Sequence, residues 1–189
     1  ATSAYQSNFL GLNAGNGATN ASGSNFLGLN AGYGATNASN SNFFGYQAGY
    51  SATSATNTNF FGQSAGMNAA NASYSNFFGA FAGGSATNAS NSIFIGRQAG
   101  FSDSVDNTGN IDDFSILIGK STSTGGYSNS IAIGGYATNT ASNQFMIGSS
   151  TRPIDTTIWK GSASTECTLT TGTGISCTSD ERLKTNIIG

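Results

Sequence analysis

The sequence predicts an all-β chain, a parallel homotrimer of 17-residue-repeat β-rolls that form a solenoid-like shaft and end in a small β tip module. Three observations predict it. From Ser7 to Asn91 one 17-residue phrase is written five times in register: SNFLGLNAGNGATNASG, SNFLGLNAGYGATNASN, SNFFGYQAGYSATSATN, TNFFGQSAGMNAANASY, SNFFGAFAGGSATNASN. A fixed period of this size makes each copy one turn of a stack, unable to bury its apolar residues without neighbours. Glycines and asparagines recur in columns, as corners of a coil do, and are not scattered as in a disordered chain. Each phrase also sets two large apolar residues side by side in strand context, where they must point to opposite faces.

The regular shaft spans residues 1–96. In each phrase S-N-F-[LF]-G reads as a short strand ended by glycine, and a second glycine four residues on reads as a turn at positive φ. A-T-N-A-S then reads as a second strand. One apolar column is Phe9, Phe26, Phe43, Phe60, Phe77 and Phe94; the other is Leu10, Leu27, Phe44, Phe61, Phe78 and Ile95. A single coil hides one column against Ala14, Ala18, Ala21 and their equivalents. The other is left as an apolar stripe larger than a soluble monomer exposes. Burial against identical chains covers it, and a threefold axis gives each stripe the same environment. Asn8, Asn25, Asn42, Asn59 and Asn76 are expected to form a side-chain ladder; the Asn-Ala-Ser triplets at Asn20, Asn37, Asn71 and Asn88 follow from the repetition rather than from glycosylation.

Residues 97–148 are degenerate coils. SIFIG, SILIG, SIAIG and QFMIG repeat the strand at spacings of 23, 15 and 14 residues, so one coil carries an insert within FSDSVDNTGNIDDF. Its acids, Asp103, Asp106, Asp112 and Asp113, do not match an EF-hand loop. They read either as a calcium- or ligand-binding loop or as a solvated excursion kept polar outside the roll; the excursion is the plainer reading.

The tip, residues 149–178, abandons the period. It holds Pro153, the lone Trp159, Arg152, Asp155 and Lys160, and reads as a small β module that caps the sheet edge. An exposed Trp159 near Arg152 and Asp155 suits sugar stacking, whereas a buried one is simply core. The candidate ligand residues are Asp112, Asp113, Arg152, Asp155, Trp159 and Lys160. Cys167 and Cys177 flank TLTTGTGIS, which reads as two strands around a turn at Gly172, so a cross-strand disulfide competes with two free thiols. No metal is expected, as the chain has no histidine, and no cofactor.

All 14 charged residues, six basic and eight acidic, follow residue 96. No basic patch is expected, hence no nucleic-acid partner. No apolar run is long enough to span a membrane, and no signal peptide is read at the start. ATSAYQ matches the end of the repeat, so the N-terminus is read as a cut through a longer shaft.

SDERLKTNI, Ser179 to Ile187, resembles the opening of the intramolecular chaperone domain of endosialidase-type phage tailspikes and tail fibres. The resemblance assigns residues 179–189 to the start of such a domain, with Ser179 as the residue after which cleavage occurs and Lys184 as its assistant. It covers about ten residues, and with the rest of the domain absent the pair is expected to be inert. SIAIGGYA, Ser130 to Ala137, resembles the β-roll of trimeric autotransporter adhesin heads, with a longer period and with Phe in place of small aliphatics.

Together these imply the distal part of an extracellular trimeric fibre, on a virion or a cell surface, as in phage tail fibres and the trimeric fibres of some predatory bacteria. Its partners are its own copies and a cell-surface glycan or envelope receptor, bound through several weak sites at once. A polysaccharide hydrolase is the alternative, but no carboxylate pair is recognisable. Ice binding is a further alternative, resting on Thr19, Thr36, Thr53 and Thr87, a column broken by Ala70.

Overall fold

The computed structural model describes residues 1–105 and 114–153, and the backbone of 156–160, 166–170 and 174–178. By compactness the chain divides into two units, Ala1–Arg152 and Pro153–Gly189. The first is a β-solenoid with one strand per coil. Strands β1 (Asn8–Leu10), β2 (Asn25–Leu27), β3 (Asn42–Phe44), β4 (Asn59–Phe61), β5 (Asn76–Phe78), β6 (Ser92–Ile95), β7 (Ser115–Ile118), β8 (Ile131–Ile133) and β9 (Phe145–Ile147) form one sheet in sequence order. Neighbours are parallel and in register, so Phe9, Phe26, Phe43, Phe60, Phe77, Phe94, Leu117, Ala132 and Met146 make one row. The described residues contain no helix.

Alternation along each strand decides which column turns inward. Phe26, Phe43, Phe60, Phe77 and Phe94 are 0% exposed, and their rings stack at 4.7–4.9 Å between centroids. That distance matches the spacing of adjacent strands, so the backbone ladder and the ring stack reinforce each other. In the second to fifth coils three buried alanines each, such as Ala31, Ala35 and Ala38, form the opposite wall. The coil is therefore only one aromatic ring thick. The second column faces outward, half-buried at Leu27, Phe44 and Phe61 and exposed at Phe78, Ile95 and Ile118.

Glycine is required at two positions of the phrase. The strand-ending glycine has φ near +135°, and a Cβ on Gly45 would lie 2.5 Å from the Gly62 carbonyl oxygen of the next coil. The ninth-position glycine, at φ +63° in Gly66, faces the Phe60 ring, where a Cβ would come within 2.3 Å. Nothing but hydrogen fits either place.

The A-T-N-A-S segment is not a second strand. Among the described residues it makes only isolated bridges, Thr53 to Ala70, Ala70 to Thr87, Thr87 to Ser104 and Ser123 to Thr138. The reason is backbone handedness. In the second coil Gly28, Asn30, Gly32, Gly34, Asn37 and Asn40 all have positive φ. A left-handed residue every two or three positions keeps the chain turning, and asparagine tolerates that conformation better than most residues.

Side-chain ladders tie the coils together. Asn8 donates from Nδ2 to Oδ1 of Asn25, and the relay continues through Asn42 and Asn59 to Asn76 at 2.7–2.8 Å. Inside, the Ser24 hydroxyl donates to the Ala38 carbonyl at 2.5 Å and accepts from the Ser41 amide of the next coil at 3.2 Å. One buried hydroxyl thus closes its own coil and holds the next, so its own polar atom is paired within an apolar interior.

The insert between β6 and β7 leaves the stack intact. Gly119 N donates to Ile95 O and Gly100 N to Thr122 O, both at 2.8 Å, as in regular coils. Residues 106–113, which include Asp106, Asp112 and Asp113, lie outside the described residues. For Asp103 alone the reading of a solvated acidic excursion is corrected, because this residue is only 6% exposed. Its carboxylate accepts from Thr124 N at 2.5 Å and from Thr124 Oγ1 at 2.8 Å, stapling the coils on either side of the insert. Asp103→Ala leaves a buried amide unpaired and is expected to lower stability by about 1.5–3 kcal/mol. Urea denaturation checks this, and an unchanged midpoint would show that the staple carries no energy.

In the second unit, β10 (Thr156–Lys160), β11 (Glu166–Thr170) and β12 (Gly174–Thr178) form an antiparallel sheet in that order. The register places Trp159 opposite Cys167 and Cys167 opposite Cys177. The bonding of the two cysteines lies outside what is described of these strands.

Candidate functional site

The sixth position of each coil, directly after the strand-ending glycine, changes character along the solenoid. It runs Leu12, Leu29, Tyr46, Gln63, Ala80 and then Arg97, Lys120, Gly135 and Ser149. Hydrogen bonds to the backbone carbonyls fix the last of these in successive coils. Ser121 N donates to Arg97 O at 3.0 Å, Tyr136 N to Lys120 O at 2.8 Å, and Ser149 Oγ to Gly135 O at 3.2 Å. After Ser149 the chain hooks back: Arg152 N donates to Ser149 Oγ at 3.1 Å, and Ser149 N donates to Arg152 O at 3.1 Å. The hook adds a guanidinium to the column that Arg97 and Lys120 began.

Lys120, Gly135, Tyr136 and Arg152 line an open pocket of about 210 Å³. Tyr136 takes the left-handed seventh-position conformation that Phe81, Gln98 and Ser121 also adopt, so the turn itself aims its ring. The Lys120 ammonium lies over that ring, 4.9 Å from its centroid, a cation–π arrangement. Hydrogen bonding to Lys120 above all, opposed by desolvation and helped by the charges of Lys120, Arg152 and Arg97, holds the Tyr136 phenol below its ordinary pKa. Gly135 is the open side of the pocket: its φ is not positive, and a Cβ there would meet nothing within 4 Å.

The balance of charge here is one-sided. Arg97, Lys120 and Arg152 are all exposed. Asp103 is the only acidic residue whose side chain the structure describes, and it is buried on Thr124. Among the described residues, then, three cations share one stretch of the solenoid. The three cations are far apart in sequence, and stacking of the coils assembles them.

Of the ligand residues read from sequence, Arg152 stands in this pocket. Trp159 and Lys160 lie on β10, whose side chains are not described, and Asp112, Asp113 and Asp155 lie outside the described residues, as do Ser179 and Lys184. Sequence reasoning missed Arg97, Lys120, Gly135 and Tyr136. The signal was present in SIFIGR and SILIGK, which put a cation at the same step of two coils.

A larger groove of about 530 Å³ runs along residues such as Ser22, Asn37, Ser39 and Thr56. Its hydroxyls are used by the fold, since Ser22, Ser39 and Thr56 donate to the carbonyls of Ser3, Asn20 and Asn37 at 2.6–2.7 Å. The basic pocket, by contrast, has guanidinium donors to spare. Compared with protein-family models, with curated proteins and with solved structures, the chain gives no match.

Proposed function

We propose that the chain is the distal part of an extracellular trimeric fibre, on a virion or a cell surface, that acts as a spacer and presents an adhesive end to a cell-surface glycan or envelope receptor. The observation that carries this reading is the outward column of the sheet. Leu10, Leu27, Phe44, Phe61, Phe78, Ile95, Ile118, Ile133 and Ile147 occupy the same step of all nine strands, and none of them is buried. From β6 onward the step two residues earlier also turns apolar, with Ile93, Ile116, Ile131 and Phe145 replacing the asparagine ladder. Two adjacent apolar columns make a face broad enough to pack against copies of itself.

Identical chains in parallel register present identical columns, so a threefold arrangement buries all three alike. Uncharged coils up to residue 96 suit a spacer, and the placement of every charged residue beyond that point suits recognition there. Three copies of a weak site then act together. Ser179 and Lys184 take no part in this function, and the fibre is not an enzyme. Light scattering on the chain and on a tenfold dilution is expected to return a mass near three chains in both. A stable monomer would overturn the proposal.

A further inference from the structure

We propose that Lys120, Tyr136 and Arg152, with the charge of Arg97 one coil beyond the pocket, form a binding site for the acidic group of a surface saccharide, a carboxylate or sulfate carried on a sugar ring. That the ligand is a saccharide rests on the fibre reading; that it is anionic rests on the pocket alone. Three like charges gathered on neighbouring coils repel one another, and no acidic side chain among the described residues faces them. An anion in the pocket relieves the repulsion and accepts hydrogen bonds from the Arg152 guanidinium and the Lys120 ammonium, the strongest donors a protein surface offers.

The size and walls of the pocket narrow the ligand further. At about 210 Å³ it is smaller than drug-sized sites, which begin near about 300 Å³, so it takes one ring or group and not a polymer. Its walls are mixed: cations on one side, the Tyr136 ring on another, and the open edge at Gly135. A sugar acid presents the same mixture, a charged group beside a ring with apolar C–H faces. A nucleic-acid strand needs a charged track along its backbone, and residues 1–96 carry no charged side chain with which to continue one.

The test is calorimetric titration of the full chain with trigalacturonate, a sulfated trisaccharide, maltotriose and an oligodeoxythymidylate. One or both acidic sugars are expected to bind, more weakly as salt is raised, and maltotriose is not. The stronger of the two identifies carboxylate or sulfate. Arg152→Ala and Lys120→Ala are each expected to weaken binding by roughly tenfold, the effect of losing one charge-assisted hydrogen bond. Gly135→Leu keeps every charge, fills open space without strain, and is expected to abolish binding. Occupancy by the acid is also expected to raise the Tyr136 titration midpoint toward its ordinary value, seen as a difference from Tyr136→Phe.

Equal binding of maltotriose, failure of both acidic sugars, or full binding by Gly135→Leu overturns the site. Binding of the oligonucleotide with the same sensitivity to these variants overturns the saccharide assignment. Mass measured on the same samples separates the two readings. A trimer that ignores acidic sugars loses this site and keeps the fibre, and a monomer that binds them keeps the site and loses the fibre.

Discussion

Gly66→Ala is expected to destabilise the solenoid by about 2–5 kcal/mol, although it adds a single methyl group. Part of the cost is conformational, since Gly66 sits at φ +63°, where an L-residue pays about 1–2 kcal/mol. The rest is steric. The new Cβ would fall 2.3 Å from carbons of the Phe60 ring, and that ring is held between Phe43 and Phe77 at 4.9 and 4.7 Å. A ring so held has nowhere to go, and overpacking of this kind costs about 1–3 kcal/mol. Gly84→Ala is the control. Its φ is not positive, and its Cβ would lie no nearer than 3.1 Å to the ring of Phe101, which is 42% exposed, and 3.3 Å from the Phe81 carbonyl oxygen, far milder contacts than at Gly66. Urea denaturation of both variants decides the matter, and equal midpoints would refute the ring-contact argument. Phe60→Leu combined with Gly66→Ala is expected to cost less than the sum of the two, because they share one contact.

Ile118→Asp is expected to convert the assembly to single chains while leaving each solenoid folded. Ile118 is 37% exposed on the outward column, so an aspartate there is tolerated by an isolated chain. In the proposed trimer the same carboxylate would be buried without a partner, at about 3–5 kcal/mol per copy. Thr53→Asp, at an exposed position in the A-T-S-A-T segment away from that column, is expected to leave the mass unchanged. Light scattering reads the mass and circular dichroism the fold. Persistence of the trimer in Ile118→Asp would mean that copies associate through another face.

The register of the sheet was legible in the sequence because a fixed phrase maps residue for residue onto a stack. Phe9 to Phe94 as a row, the alanine wall and the asparagine ladder all follow from that mapping. The A-T-N-A-S segment misled because alternating small residues resemble a strand, while the property that bends it, left-handed backbone at Asn37, Asn71 and Asn88, is carried by residues that sit in either conformation. The basic pocket was hidden by the insert. Arg97 and Lys120 share a coil position only after the longer spacing between β6 and β7 is taken out, and Arg152 joins them through a hook outside the repeat. Asp103 was misread for a related reason, since its partner Thr124 lies in the coil beyond the insert.

The asparagine ladder has a direction. Every amide from Asn8 to Asn59 gives its hydrogen to the following coil, so each turn offers the next the same acceptor, ring and glycine edge that it met itself. Duplicating or deleting one phrase therefore adds or removes one more set of the same ladder, ring and glycine contacts. Length becomes a countable quantity, adjustable in steps of about 4.8 Å, and a lineage can retune the reach of the molecule by recombination between its own repeats without touching the chemistry at its charged end.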